Sequence, residues 1–561
     1  MGSVWRTLKR LWQQIGKMPS SNGKDQGQGA IAVSPSLAGN LGYLKKALGA
    51  SEDLISRELS LGGRRLAVIY LETMVNRDAL QRDILHPLVR LQEKPNGGEA
   101  NLILRLCKSL AVGDIKAEKE FTRLISGLLD GAAVLMVDGY DLALLLSAEG
   151  WEKRPVEEPG TEAALRGPRE GFTENLSTNI SLIRRRLRTR ELRFEAIHLG
   201  RRTHTRVVIA YLEGLTLPGI LAELRRRLQR IDIDGVLESG YIEELIEEAP
   251  FSPFPQVDRT ERPDRVTADL LQGRVAILTD GTPFALIIPG NLIAQMQAPD
   301  DYYERWPLSI GIRLFRFLGI FIALLLPAIY VAFTTYHQEM LPTPLAIAIA
   351  SQREAVPYPA VVEALIMQIV FEILIEAGIR LPRVIGPAIS IVGALVIGEA
   401  AVRASLMSAA MVIVISATAI SSFIIPSVGL NEAIRMLRLP LILLAGALGL
   451  LGIFAGLFTT LIHLASLRNF GVLYMSPLAP FTWRGQKDVV VRVPWWAMLW
   501  RPRTIGRRDL QREKPGQHPQ VRAVNRQPGE ELETGMSRGG AKMIRGRKKG
   551  RPAVGRGQKR P

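Results

Sequence analysis

Three runs without a charged side chain, Phe317–Tyr336, Ala404–Asn431 and Leu439–Leu467, constrain this chain more than any other feature. They are 20, 28 and 29 residues long. About 20 apolar residues at 1.5 Å each cross a ~30 Å hydrocarbon core, so each run is long enough to span. A fourth run, Val384–Gly398, is short for a span, follows Pro382 and ends at Glu399. It reads as a span, or as a broken, re-entrant unit with the helix before it. An all-α polytopic membrane domain is expected over 305–470, with about four spans at 317–336, 384–398, 404–431 and 439–467. Gly446, Gly449, Gly452 and Gly456 suit close helix packing. The lone His463 calls for an interhelical hydrogen bond.

Between the first two long runs lies EALIMQIVFEILIEAGIRLP (Glu363–Pro382), apolar enough to enter a membrane yet carrying Glu363, Glu372 and Glu376. Three ionised carboxylates facing lipid cost about 8 to 10 kcal/mol. Flanking Leu and Ile, at about −0.3 to −0.6 kcal/mol each, do not offset that. With Glu363 at 0°, Gln368 falls at about 140°, Glu372 at about 180° and Glu376 at about 220°, one polar stripe with Glu363 opposite. An acidic amphipathic helix over 359–379 then has two sensible settings. It lies in the membrane surface and wets its acidic side, although such helices favour Lys and Arg on that side. Alternatively it lines a water-filled path, where rings of carboxylates in an oligomer favour cations. Candidate pathway residues are Glu363, Gln368, Glu372, Glu376 and Glu399. The basic residues near them, Arg380, Arg383 and Arg403, all lie at run ends.

The region before the membrane repeats itself. RRLAVIYLETMVNRDALQRDIL (64–85) resembles HTRVVIAYLEGLTLPGILAELR (204–225), and GAAVLMVDGYDLALLL (131–146) resembles GRVAILTDGTPFALII (273–288). Tyr70-Leu71-Glu72 matches Tyr211-Leu212-Glu213, and Asp138-Gly139 matches Asp280-Gly281. Each copy predicts a buried strand, helices, and two strands joined by an Asp-Gly turn. Two duplicated α/β subdomains, 40–150 and 171–300, follow, joined by the proline-rich, charged 151–170. The Asp-Gly pairs are structural turns rather than catalytic groups. The arginine runs at 183–193 and 224–230 predict a solvated helix face or a subunit contact ahead of a nucleic-acid site, because acidic runs lie nearby.

Charge is placed unevenly. The chain carries +17 over 561 residues, and 501–561 alone hold 18 Lys+Arg against 5 Asp+Glu, a net +13. The rest is therefore nearly neutral, which disfavours a nucleic-acid partner. Residues 471–561 predict a disordered basic tail, with an anionic lipid surface as its possible contact. The tryptophans of VPWWAMLWRPR (493–503) suit a membrane interface. Residues 1–39 are basic and flexible, without the apolar core of a signal peptide. The soluble region and the tail are both expected in the cytoplasm, which requires an even number of spans. One cysteine, Cys107, and six histidines without metal-ligand spacing offer no metal site. No phosphate-binding glycine loop or nucleophile elbow is present. No cofactor and no enzyme activity are expected.

Six stretches carry a family resemblance: 167–188, 230–256, 273–290, DDYYERW (300–306), 363–386 and HLASLRNFGVLYMSPLAP (463–480). In order and without large gaps over about 40–485, they resemble the A subunits of the GerA family of spore germination receptors. The closely related accessory subunit made with the dipicolinate-release proteins shares these motifs. The resemblance implies a subunit of the spore inner membrane acting with a B-type transporter-like subunit and a C-type lipoprotein. It also implies an oligomer that forms a cation channel opened by nutrients. A non-conducting scaffold that organises receptor clusters is the alternative. The family pattern has Glu at 368 and Gln at 399, where this chain has Gln368 and Glu399, so its intramembrane acids are redistributed.

Overall fold

Strand and helix follow one order twice in the region before residue 300. The computed structural model describes residues 31–92, 102–148, 150, 159–160, 162, 166–380, 398–482, 485–501, 510–517 and 519. The chain divides into two units, 1–515 and 516–561, and all the elements named below lie in the first. The first copy opens with α1 (Leu37–Ala47), β1 (Leu54–Leu61) and β2 (Arg64–Leu71). It continues through α2 (Arg77–Ala79), a π-helical turn (Leu80–Leu85), α3 (His86–Gln92) and α4 (Leu102–Ser109). β3 (Ile115–Glu118), α5 (Phe121–Leu129), β4 (Ala133–Val137) and β5 (Ala143–Leu146) complete it. The second copy is α6 (Leu176–Arg186), β6 (Leu192–Leu199), β7 (Thr205–Leu212), α7 (Pro218–Gln229), α8 (Ser239–Ile246), β8 (Asp258–Thr260), α9 (Pro263–Leu270), β9 (Val275–Thr279) and β10 (Ala285–Ile288). The two sheets have orders β1-β2-β4-β5-β3 and β6-β7-β9-β10-β8, antiparallel throughout. The region is thus mixed α+β with two five-stranded sheets.

Alternation along the strands explains the layering. In β2, Leu66 and Val68 pack with Leu80, Ile84 and Leu106, while Ala67, Ile69 and Leu71 pack with Leu37, Leu44 and Leu124. Successive strand residues face opposite sides, so helices cover both faces of the sheet. Each fully buried Leu or Ile contributes roughly 1.5–3 kcal/mol.

The Asp-Gly turns clasp the first helix of their own copy. Asp138 accepts a hydrogen bond from the Leu37 N–H at 2.9 Å, and Asp280 accepts one from the Leu176 N–H at 3.2 Å. A carboxylate there satisfies an orphan donor and faces the positive end of the helix dipole. The glycine after each aspartate has φ +89, a conformation that disfavours any side chain.

The arginine run at 183–193 is not wholly a solvated face. Arg184 is buried and forms an ion pair with Asp53 of the first copy at 2.9 Å. It also donates to Ser51 Oγ at 3.2 Å and to the Leu192 carbonyl at 3.3 Å. Arg193 is buried as well, paired with Glu213 and reaching the Ala47 carbonyl at 3.4 Å. These residues join the two copies, while Arg188 and Asp130 form an exposed pair at 2.9 Å.

After α10 (Leu292–Met296) and α11 (Asp300–Tyr303) the described residues up to 466 are mostly helical. α12 (Trp306–Thr335) has a mean hydropathy of 2.4 and is, among the described residues, the one helix long and apolar enough to cross a membrane. Its Leu314, Phe315, Leu318 and Phe321 are exposed. α13 (Thr343–Arg353), α14 (Ala360–Arg380), α15 (Ala409–Ser422), α16 (Val428–Leu448) and α17 (Leu450–Ser466) follow. Two expected spans are interrupted. The run 404–431 breaks after Ser422 because Pro426 cannot continue a helix, and Ser427 caps α16 through the Leu430 N–H at 3.4 Å. The run 439–467 breaks at Gly449, whose φ is +62. The expected span over 384–398 lies, but for its last residue, outside the described residues. The glycines do serve close packing: a Cβ on Gly446 would lie 1.9 Å from the Val361 side chain, and one on Gly452 2.1 Å from the Leu444 carbonyl.

The tail expected to be disordered from 471 is instead folded at 471–482 and 485–501. β11 (Arg468–Asn469) pairs with β12 (Val472–Leu473), and Tyr474, Val489 and Met498 are buried. Asp488 accepts from Arg313 at 3.0 Å and from Tyr302 at 2.8 Å. Asp301 takes Arg313 at 3.0 Å and Arg316 at 2.8 Å, a buried cluster at the foot of α12. The overall basic composition of 471–561 masked this apolar, ion-paired segment.

Candidate functional site

Proline sets up the site. Pro327 inside α12 has no N–H, so the Ala323 carbonyl four residues earlier loses its helical partner. Arg438 of α16, fully buried, donates Nε to that carbonyl at 2.7 Å. Its Nη1 donates to Gln368 Oε1 at 3.0 Å, and Gln368 Nε2 donates to Glu372 Oε1 at 2.8 Å. Glu372 in turn accepts from Arg435 Nε at 3.2 Å and from Arg435 Nη2. One hydrogen-bonded chain therefore runs from α12 through α16 and α14 and back to α16. Arg438 Nη2 has no hydrogen-bond partner.

The five sequence-predicted residues separate along this region. Glu363 is buried opposite the stripe and accepts from the Ser408 N–H at 2.5 Å and Oγ at 2.6 Å, so its carboxylate anchors the start of α15. Arg353 Nε lies 3.9 Å from its other oxygen, which has no hydrogen-bond partner. Gln368 is buried, the Glu372 side chain is 30% exposed and that of Glu376 62%. Glu376 pairs with Arg380 at 2.6 Å, and Glu399 with Arg403 at 2.5 Å, both exposed. The stripe thus follows the edge between the covered and open faces of α14, with Ile369 and Ile373 exposed on the open face.

Sequence reasoning missed Arg435 and Arg438. They stand between two uncharged runs, where a loop was expected, and the helix from Val428 carries them straight through. Their own spacing, i and i+3, places both on one face of a helix and was the available signal.

Loop 249–256 of the α+β region reaches this helical layer. Phe254 is buried with Ala323, Leu430, Ala433 and Ile434. His463 lies 2.8 Å from Ser252 Oγ, so the hydrogen bond expected between helices goes to this loop. Beside it, α8 and the start of α16 form a groove of about 320 Å³ lined by Glu243, Glu247, Arg259 and Glu432 among others. Burial pushes the Glu243 carboxyl up to about 7 and raises Glu247 as well. Among the described residues no group of three or more His, Cys, Asp or Glu side chains is placed to hold a metal ion.

A duplicated α+β region followed by a helix able to cross a membrane fits a membrane-associated protein. Residues 42–504 match the family described as Bacillus/Clostridium GerA spore germination protein. Spore germination protein KA of Bacillus subtilis is 46% identical over 512 residues, 91% of this chain and 94% of that protein. Spore germination protein GerLA of Bacillus cereus is 40% identical, over 84% of this chain and 97% of its own length. The crystal structure of the N-terminal domain of the A subunit of the Bacillus megaterium spore germinant receptor GerK3 is 32% identical; the match covers 47% of this chain and 99% of that one, with a TM-score of 0.39. The chain belongs to the GerA family of spore germination proteins, as a membrane-associated germinant-receptor protein and not an enzyme.

Proposed function

We propose that this chain is the A-type subunit of a germinant receptor of the spore inner membrane, and that its homo-oligomer forms a cation-conducting channel. The channel opens when nutrients are sensed together with a B-type transporter-like subunit and a C-type lipoprotein. The observation that carries this reading is the graded stripe on α14: buried Gln368, half-buried Glu372 and exposed Glu376 beside exposed Ile369 and Ile373. Repeated around an oligomer, carboxylate rings favour cations and apolar rings close by dewetting. Glu363, Gln368, Glu372, Glu376 and Glu399 are the pathway residues, with Glu363 fixing α15 against α14. The soluble region and the basic tail face the cytoplasm on an even number of spans, four in our count, with the tail available to anionic lipid. Nutrient binding opens the path by favouring one of two states, which requires different affinities for them.

The test is potassium efflux from liposomes carrying this protein with its partner subunits, challenged with a mixture of amino acids, sugars and nucleosides. Glu372→Ala/Glu376→Ala, matched to wild type in assembly and orientation, should lose efflux or cation preference. Unchanged efflux moves the path to another helix. Absent efflux from an assembled wild-type complex favours a non-conducting scaffold. The pairing of Glu372 with Arg435 is the observation that favours that second reading.

A further inference from the structure

The charged layer between α14 and α16 is not balanced. Arg435 and Arg438 bring two guanidinium groups to one carboxylate, Glu372. Of the neighbouring acids, Glu432 lies 3.5 Å from Arg259 and Glu376 is engaged by Arg380. Gln368 offers Arg438 a neutral oxygen, and the Ala323 carbonyl offers another. A cation approaching Glu372 meets a site already filled, inside a layer of net positive charge, where repulsion is screened far less than in water.

We infer that Arg435 and Arg438 are the resident counter-cations of the closed channel, occupying the stripe that permeating cations use once α16 withdraws them. The inference rests on the channel reading and names the residues that regulate it. Arg435 fills the Glu372 carboxylate. Arg438, held by the carbonyl that Pro327 frees, keeps the positive field at the buried end of the stripe. Opening then means parting α14 from α16, which breaks the Gln368–Arg438 and Glu372–Arg435 contacts together and exposes carboxylate and amide oxygens to the path.

The experiment uses the complete receptor complex in potassium-loaded liposomes without added nutrient. Arg435→Gln and Arg438→Gln should each raise basal potassium efflux at least about tenfold, because each removes a charge-assisted hydrogen bond made in the closed state. The leak should prefer potassium over chloride, and Arg435→Gln/Glu372→Gln should lose that preference. The charge swap Glu372→Arg/Arg435→Glu, which keeps both charges, should return efflux to the wild-type level. Basal efflux within about twofold of wild type in both assembled single variants overturns the inference. It leaves the channel reading standing if the nutrient mixture still triggers wild-type efflux. Failure of that response as well overturns both. A leak equally permeable to chloride, or a swap that leaks like the single variants, shows damaged packing and also overturns the inference.

Discussion

Two buried arginines serve opposite ends in this molecule. Arg184, between the two α+β copies, uses all three guanidinium nitrogens, on Asp53, Ser51 and the Leu192 carbonyl, and lies 4.9 Å from the Phe194 ring. Arg438, among the helices that follow, has no carboxylate of its own and leaves Nη2 without a partner. Removing one partner of a buried ion pair strands the other charge, whereas removing an arginine that meets only neutral oxygens leaves hydrogen bonds unmade at a smaller cost. A saturated site fixes one geometry; an unsaturated one is compatible with a second.

The comparison yields graded predictions. Arg184→Met should cost about 3–5 kcal/mol by stranding Asp53, measured as lost hydrogen-exchange protection of β1 and β6 in the full-length protein. Arg438→Met, by contrast, strands no carboxylate and should cost less, about 1–3 kcal/mol for the Ala323 and Gln368 oxygens left without a donor; a loss as large as that of Arg184→Met would erase the distinction. Gln368→Glu would give Arg438 a carboxylate and make the two sites alike. The charge-assisted bond gained is partly offset by the hydrogen bond to Glu372 that Gln368 Nε2 no longer donates, so the closed arrangement should be stabilised by about 1 kcal/mol at most, raising the thermal midpoint and lowering nutrient-triggered efflux. Asp280→Ala removes the clasp on α6 and should cost about 1 kcal/mol, and Asp138→Ala a similar amount in the first copy, both read from unfolding midpoints.

The smallest effect concerns pH. The Glu243 carboxyl holds its proton more tightly in the folded chain than in the unfolded one. Its contribution to stability is full below about pH 4.5, the ordinary value, and is lost as pH rises through about 7. Glu243→Gln should remove this slope, seen as a wild-type-minus-variant difference in midpoint that shrinks between those pH values.

The duplication was legible because turn residues and strand cores keep their spacing: Tyr70-Leu71-Glu72 and Asp138-Gly139 reappear in the second copy. The outer strands β1 and β6 were harder to see, since both mix polar with apolar residues and bury only part of their length. The stripe on α14 could be read from helical period alone, but its partners could not. Uncharged run length locates apolar segments without locating helix ends, and here Pro426 and Gly449 set the ends while Arg435 and Arg438 sit inside a helix. Pairing across 63 and 70 residues of sequence leaves no local trace.

The break at Gly449 has a mechanical consequence. His337 Nε2 accepts the Leu450 N–H at 3.2 Å, and the Tyr336 hydroxyl donates to the Ala447 carbonyl at 2.8 Å, so the end of α12 is riveted to the corner between α16 and α17. Arg438 lies eleven residues up the helix from that rivet, a lever arm of about 16 Å at 1.5 Å per residue. Pivoting α16 there by about 10° would carry the guanidinium about 3 Å, from hydrogen-bond contact with Gln368 to well outside it. On the channel reading proposed above, gating would require no helix to unwind and no domain to travel far. A push on loop 249–256, which bears on α16 near its opposite end through Phe254, would turn the arm about its fixed corner.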